Sequence, residues 1–298
     1  YRIHIRVRVS QPIRDYTSIG VNWTKKTVVF INEPLPISRT RTGAMVGIDR
    51  GVAHTLATSD GHFIDLPQAK LDKIDKEIRR RQKAQARRVR LSGKPLSEYR
   101  KRASRAYART QQEIKTLHAK AHRVINDWQH KTTTRLVQQY DAISVENLNL
   151  QGMTRRCKAK PDPNHQGRYL RNGQSAKRGL NRSMRTAALG GIVQKLEYKT
   201  RLAAYSSLIL VNPAYTSQTC SNCKYCAKNN RESQAVFVCK QCGHSMNADV
   251  NAAINILNRG VDHVLGLDEA ERAVTTQDTR TAQRGKSAIV ARKTSTRH

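Results

Sequence analysis

Aromatic side chains make up only 5% of the 298 residues, and acidic ones are outnumbered, with 22 Asp and Glu against 55 Lys and Arg for a formal charge of +33. Few aromatics means few platforms on which unpaired bases could stack, and Tyr215, Trp128 and Tyr107 are the candidates. No apolar run approaches the roughly 20 residues of a membrane-spanning helix, and no secretory leader is recognisable, so the expectation is a cytosolic chain without a membrane partner. The first residue is Tyr1 rather than Met, which suggests that sequence upstream is missing.

What is abundant is positive charge. A net +33 exceeds what solubility requires and calls for a polyanion, because each phosphate neutralised by Lys or Arg releases condensed counterions. The excess is concentrated between Lys70 and Arg123, where 19 Lys and Arg face five Asp and Glu. In the same stretch Leu71, Ile74 and Ile78 fall at helical spacing, and Val124, Trp128, Leu136 and Val137 extend an apolar stripe, with a turn at Ser92-Gly93-Lys94-Pro95 between. The pattern predicts a basic helical hairpin over 68–140. A charge run is ordinarily a solvated face. Here one sign so outweighs the other that adjacent helices would repel without a counter-charge, which favours a phosphate-tracking surface. His118 and His122, at i and i+4, lack the Glu of a His-Glu-x-x-His site and read as exposed or phosphate-facing.

Six cysteines in a long basic chain suggest metal rather than disulfides. Cys220-x2-Cys223, fifteen residues, then Cys239-x2-Cys242 is the spacing of a four-thiolate zinc ribbon, with Gly243 suited to the left-handed turn after a knuckle. Cys226 offers a competing Cys223-x2-Cys226 knuckle, and Cys157 stands alone as a free thiol.

Strand and helix patterns alternate along the chain. Ile3, Ile5, Val7 and Val9 alternate as in a strand, and Val28-Val29-Phe30-Ile31 is a second β-type run before Pro34 and Pro36. Met45 to Asp49 reads as a strand ending in a carboxylate, followed by a hairpin turn at Ser59-Asp60-Gly61-His62. Asp141 to Glu146 reads the same way. Residues 151 to about 180 read as a polar loop, Leu189 to Tyr205 as a helix and Ser206 to Val211 as a buried strand. Asn247-Ala248-Asp249 opens a further helix just past the cysteines. Alternation of this kind predicts an α/β sheet. Taken singly, Asp249 is explained by the helix dipole and Glu146 by a turn cap. Asp60, Asp65 and Asp141 are nearby acids of no evident role.

Four strings in one order carry a resemblance: Gly47-Ile48-Asp49-Arg50-Gly51, Ser144-Val145-Glu146-Asn147-Leu148, Thr216-Ser217-x2-Cys220-x2-Cys223 and Asn247-Ala248-Asp249-Val250-Asn251-Ala252-Ala253. Over residues 40 to 258 they resemble the TnpB (OrfB) proteins of insertion sequences, related to the type V CRISPR effector nucleases. The resemblance implies an α/β fold of RNase H-like, RuvC type. Its parts would be the end of a β-rich wedge domain (1–42), RuvC parts I and II (43–211) split by the basic hairpin (68–140), the zinc ribbon (212–246), RuvC part III (247–260) and a disordered tail (261–298). Asp49, Glu146 and Asp249 would then be the catalytic carboxylates, with Asp49 bridging two Mg²⁺ ions. The chemistry is sound on its own terms, since phosphodiester hydrolysis needs an activated water and charge relief at the leaving oxygen, and hard oxygen ligands hold magnesium.

The implied function is RNA-guided, Mg²⁺-dependent cutting of target DNA by a mobile-element protein, with the guide RNA transcribed from the element and zinc purely structural. Two other readings stand beside it. A truncated or repurposed relative would bind nucleic acid without guided cleavage, and the missing N-terminal region favours that. A transposase that joins strands itself would need a nucleophilic Tyr beside a His-hydrophobe-His metal site, and no His-x-His string is present. Two positions depart from the family pattern. Lys224 stands where Gly is usual, and Ala248 stands where Arg is frequent, so no arginine is assigned to the site.

Overall fold

A computed structural model describes residues 6–9, 12–23, 27–101, 103–187 and 189–266. The chain opens on an antiparallel hairpin of β1 (Ser18–Asn22) and β2 (Thr27–Ile31), with Ser18 opposite Ile31 and Asn22 opposite Thr27. Val28 and Phe30 turn to the half-buried side while Thr27, Val29 and Ile31 face solvent, the period-two alternation of a one-sided sheet. The earlier alternation does not make a strand where it can be followed. Ile3 and Ile5 lie outside the described residues, and Val7 and Val9 are exposed and outside any strand. Alternation provides a face, whereas a strand also requires a hydrogen-bonded neighbour.

The main sheet comprises β3 (Met45–Asp49), β4 (Leu56–Thr58), β5 (Phe63–Ile64), β6 (Ala142–Glu146) and β7 (Ser207–Val211), ordered β5-β4-β3-β6-β7. Strands β3, β6 and β7 run parallel, while β4 is antiparallel to both its neighbours. Every residue of β6 is buried, as expected for a central strand covered on both faces. Between β5 and β6 come α1 (Gln68–Leu91), α2 (Leu96–Lys101) and α3 (Arg105–Gln139); between β6 and β7 come α4 (Leu150–Thr154), α5 (Gln174–Ala187) and α6 (Leu189–Leu202).

Leu136 and Val137 of α3 and Ile192 and Leu196 of α6 bury themselves against Val46, Ile48, Ile143 and Val145 on one sheet face. Each such side chain contributes about 1.5–3 kcal/mol by leaving water, so Ile143→Ala would cost about 2–5 kcal/mol in transfer and cavity terms.

The far part of the hairpin has its own seam, in which Ile74 and Ile78 meet Ile114, Leu117, Ala121 and Val124. Arg81 spans Glu77, at 2.8 Å, and Glu113 across the seam. Ser104 caps α3 by accepting from the Tyr107 N–H at 3.2 Å. Tyr107 is itself buried in this hairpin, edge-on to Tyr99, and Trp128 packs against the main core, so neither is a base platform; Tyr215 is exposed. His118 and His122 are exposed.

The expected loop from 151 to 180 is shorter than its composition suggested. Residues 150–154 form α4, and α5 begins at Gln174, whose N–H donates to Asn172 Oδ1 at 3.2 Å. Gly173 reads as a breaker in the sequence and conceals that start signal. At the other end, α7 (Ala248–Val264) continues beyond residue 260, so the expected tail does not start at 261. Residues 267–298, the rest of that expectation, lie outside the described residues. Among the described residues no helix is long and apolar enough to cross a membrane.

Candidate carboxylate cleft and thiol cluster

Parallel pairing sets two of the acids side by side. Ile48 pairs with Val145 in the β3–β6 register, so Asp49 and Glu146, each one residue further on, emerge together at the carboxyl edge of adjacent strands. In open α/β sheets that edge is where ligands collect. The third acid comes from α7, which crosses β3 and β6. Gly47 permits that crossing, because a Cβ there would stand 2.1 Å from the Ala253 carbonyl oxygen and 2.8 Å from Leu257 Cβ. Asn247 caps α7, its Oδ1 accepting from the Asp249 and Val250 N–H groups at 2.9 and 3.2 Å. Asp249 is thereby fixed in the first turn.

Asp49, Glu146 and Asp249 line one cleft of about 280 Å³, together with Arg50, Thr216 and Arg231. Burial first, and then the charges of Glu146 and Asp249, push the Asp49 carboxyl up to about 7. Burial also raises Glu146, opposed by a hydrogen bond from the Thr216 hydroxyl and by the charges of Arg50 and Arg259. Three acids gathered with so little solvent leave the cleft short of positive charge.

The basic groups present have prior engagements. Arg50 is buried and donates to the Glu146 carbonyl oxygen at 2.6 Å and to the Leu189 carbonyl at 3.0 Å, so it braces the strand end. Arg231 Nη2 donates to Asp249 Oδ1 at 2.9 Å and to the Gln234 carbonyl at 2.8 Å.

The sequence reading assigned no arginine to this site, yet Arg231 lines the cleft. It is one of 55 basic residues and belongs to no periodic pattern, so nothing local singles it out. The decoy acids have structural partners. Asp141 accepts from the Thr42 and Gly43 N–H groups at 3.0 and 2.8 Å and pairs with Arg39; these donors, the Thr42 N–H foremost, hold its carboxyl well below the usual range. Asp65 accepts from Thr55 N–H at 2.8 Å, and Asp60 accepts from the Tyr140 hydroxyl at 2.6 Å.

Cys220, Cys223, Cys239 and Cys242 form the second cluster. Their sulfurs all lie within 4.8 Å of one another, a group able to hold a metal ion, and among the described residues no other set of three or more ligand side chains is gathered in this way. Cys226 is exposed and outside it, and Cys157 is a half-buried free thiol. The two knuckles repeat one backbone pattern. Lys224 N–H donates to the Cys220 carbonyl at 3.0 Å and Cys220 N–H to Tyr225, just as Gly243 N–H donates to Cys239 at 3.0 Å and Cys239 N–H to His244. The pattern needs a left-handed residue after the second cysteine. Gly243 has φ +70°, and Lys224 adopts φ +63° with a full side chain. Strands β8 (Val236–Val238) and β9 (Ser245–Asn247) carry the second knuckle into α7.

Sheet, cleft and thiol cluster together define an α/β protein with a metal-type ribbon folded against its last helix. The model of the family described as probable transposase, OrfB_IS605, matches residues 4–156, and that of the Cas12f1-like TNB domain matches residues 190–256. The chain belongs to this OrfB_IS605 family, in agreement with the TnpB resemblance of its motifs.

Among curated relatives, a protein of Escherichia coli (strain K12) named "Putative RNA-guided DNA endonuclease InsQ" is 34% identical over 74% of this chain and 50% of its own length. The "CRISPR-associated endodeoxyribonuclease Cas12f1" of Sulfoacidibacillus thermotolerans is 43% identical over 24% of this chain and 17% of its own. A TnpB-like protein of Methanocaldococcus jannaschii is 28% identical over 56% of this chain and 34% of its own. The chain thus spans at most half the length of these relatives.

Proposed function

We propose that the chain is the nuclease portion of an RNA-guided DNA endonuclease of a mobile element, with a RuvC-type, RNase H-like domain that hydrolyses phosphodiester bonds at Asp49, Glu146 and Asp249. The observation that carries this reading is the meeting of three carboxylates, drawn from β3, β6 and α7, in one cleft where burial and mutual repulsion raise Asp49 to about 7. A structural acid is ordinarily partnered with donors, as Asp141 is. Acids crowded on one another are suited to divalent cations.

The donor sets of the two clusters fit different metals. Carboxylate oxygens are hard ligands of the kind magnesium takes while retaining waters, and four thiolates at ribbon spacing suit structural zinc. Asp49, Glu146 and Asp249 would be the residues that hold the divalent ions in the cleft. Bound there, divalent ions supply an activated water and relieve charge on the leaving oxygen.

The chain's own residues do the rest. Arg50 fixes the end of β6 so that Glu146 faces the cleft, and Arg231, reaching in from the ribbon, is placed to neutralise a scissile phosphate once it leaves Asp249. The basic hairpin of α1 to α3 supplies the surface for guide RNA and target DNA. Lys76, Arg80, Lys83, Arg87 and Arg90 are all exposed on α1 at helical spacing, a row suited to reading backbone and shape rather than bases.

The test is to purify the chain, sequence the RNA that comes with it, and challenge it with DNA matching that RNA and bearing randomised flanks. The reading expects a defined RNA and Mg²⁺-dependent cutting of the matching DNA. Nucleic acid held without cutting, in the presence of Mg²⁺, would favour the binding-only relative instead.

A further inference from the structure

The thiol ribbon and the carboxylate cleft touch through a small set of polar side chains that neither cluster accounts for. Thr216 precedes the first knuckle by four residues and is buried, and its hydroxyl donates to Glu146 Oε1. Its position is fixed from α7. Asn255 Nδ2 donates to the Thr216 carbonyl at 3.0 Å and to the Thr219 carbonyl at 2.7 Å. Asn251, one turn earlier, donates from Nδ2 to the same Thr219 carbonyl at 2.8 Å, and its Oδ1 accepts from Ser221 N–H at 3.0 Å. Asn251 and Asn255 are buried, and these hydrogen bonds of their side-chain amides hold this backbone. They stand on α7, whose first turn carries Asp249.

From this geometry we infer that Thr216 is a positioning residue for the cleft: its hydroxyl fixes one oxygen of Glu146 so that the other is presented to the divalent metal, and Asn251 and Asn255 hold Thr216 in place. The inference rests on the proposed role of Glu146. A carboxylate has two oxygens and rotatable bonds, so burial alone does not decide which oxygen faces a ligand; a hydroxyl donor clamped on Oε1 does. Outer partners of metal-ligating carboxylates typically carry 10–100-fold in metal affinity or activity. The sequence places Thr216 in the same string as the cysteines, where it reads as part of the ribbon. The structure shows it turned away from the thiols and into the cleft.

The test compares Thr216→Val, which keeps the shape and removes the hydroxyl, with Thr216→Ser, which keeps the hydroxyl, using Mn²⁺ as the probe. Mn²⁺ binding to the full chain is followed by electron paramagnetic resonance, and the sites lost in Glu146→Gln define the signal of the cleft. Thr216→Val is expected to weaken that signal's affinity about 10–100-fold with one zinc still bound, and Thr216→Ser to bind within about threefold of the unaltered chain.

Wild-type Mn²⁺ affinity in Thr216→Val would overturn the inference and leave the carboxylate reading intact. Equal loss in Thr216→Ser, or loss of zinc in Thr216→Val, would overturn it by showing that Thr216 acts through packing or through the ribbon. If Glu146→Gln removes no Mn²⁺ site at all, the role of Glu146 falls and the inference falls with it.

Discussion

Cys220 and Cys242 are separated by 22 positions in the chain, whereas Asp49 and Asp249 are separated by 249 − 49 = 200. The thiols come from two knuckles with the same hydrogen-bond pattern, and four sulfurs within 4.8 Å of one another need little beyond that local geometry. The carboxylates have no such autonomy. They reach one cleft through the parallel pairing of β3 and β6 and the close crossing of α7 at Gly47, and there Thr216 and Arg231 contact Glu146 and Asp249. A local metal-type site is therefore specified by spacing, and a distributed one by the fold as a whole.

The sharpest way to break this contrast is at the thiols. Cys239→Ser is expected to abolish zinc binding, since structural zinc contributes on the order of 10 kcal/mol to modules of this type. It should also lower DNA cutting, because Thr216 and Arg231 travel with the ribbon. Cys226→Ser should keep one zinc per chain by elemental mass spectrometry, and loss of that zinc would move Cys226 into the ligand set.

Legibility in the sequence follows the same division. Four-thiol spacing pointed to the ribbon directly, and both knuckle turns follow from it, including the left-handed residue at Gly243. The hairpin over 68–140 was legible because its apolar seam repeats at helical period, and α1 to α3 fill that span closely. The carboxylates were each ambiguous in isolation. Asp49, Glu146 and Asp249 were picked out by the TnpB resemblance that their motifs carry in order, while Asp60 reads locally as a turn residue and Asp141 as preceding its strand. What distinguishes them is tertiary: Asp141 is saturated with donors, whereas Asp49 sits among other acids. Arg231 and the contact of Thr216 with Glu146 were not legible, since both depend on how the ribbon docks. Tyr107 misled because an aromatic on a basic helix serves a seam as well as a surface.

A second comparison lies between the hairpin, proposed to bind nucleic acid, and the cleft, proposed to cut it. Arg87→Gln on the exposed row of α1 should weaken nucleic-acid binding across sequences and reduce the slope of log affinity against log salt by about 1. The cutting rate at saturating DNA should not change. An unchanged slope would remove Arg87 from the phosphate-tracking surface.

The cleft can also be read through pH in Mg²⁺-free buffer. Asp49 is raised from 3.8 unfolded to about 7 folded, so the folded protein holds the extra proton between those values. Its contribution to stability is fully present below about pH 4 and is lost as pH rises through about 7. Thermal unfolding of the wild type should accordingly show a decline between about pH 4 and about pH 7 that is flattened in Asp49→Asn, and Mg²⁺ should suppress it by stabilising the carboxylate. Identical pH profiles for the two proteins would show that Asp49 is not perturbed.

The smallest effect contrasts the knuckles with each other. Lys224 holds a left-handed conformation that costs a non-glycine residue about 1–2 kcal/mol. Lys224→Gly should therefore stabilise the ribbon by about 1 kcal/mol in denaturant titration, and Gly243→Ala should destabilise it by a similar amount. Destabilisation in Lys224→Gly, or no loss in Gly243→Ala, would mean that the knuckles are not equivalent.

The central claim is that the three distant carboxylates act as one hydrolytic site. It is tested most directly by single-turnover cleavage of DNA complementary to the bound RNA, comparing the wild type with Asp49→Ala at equal DNA occupancy in Mg²⁺. A fall of at least about 10³-fold in rate with binding retained is predicted, as for loss of a group acting in the transition state. Cutting that survives in Asp49→Ala at near the wild-type rate would contradict it.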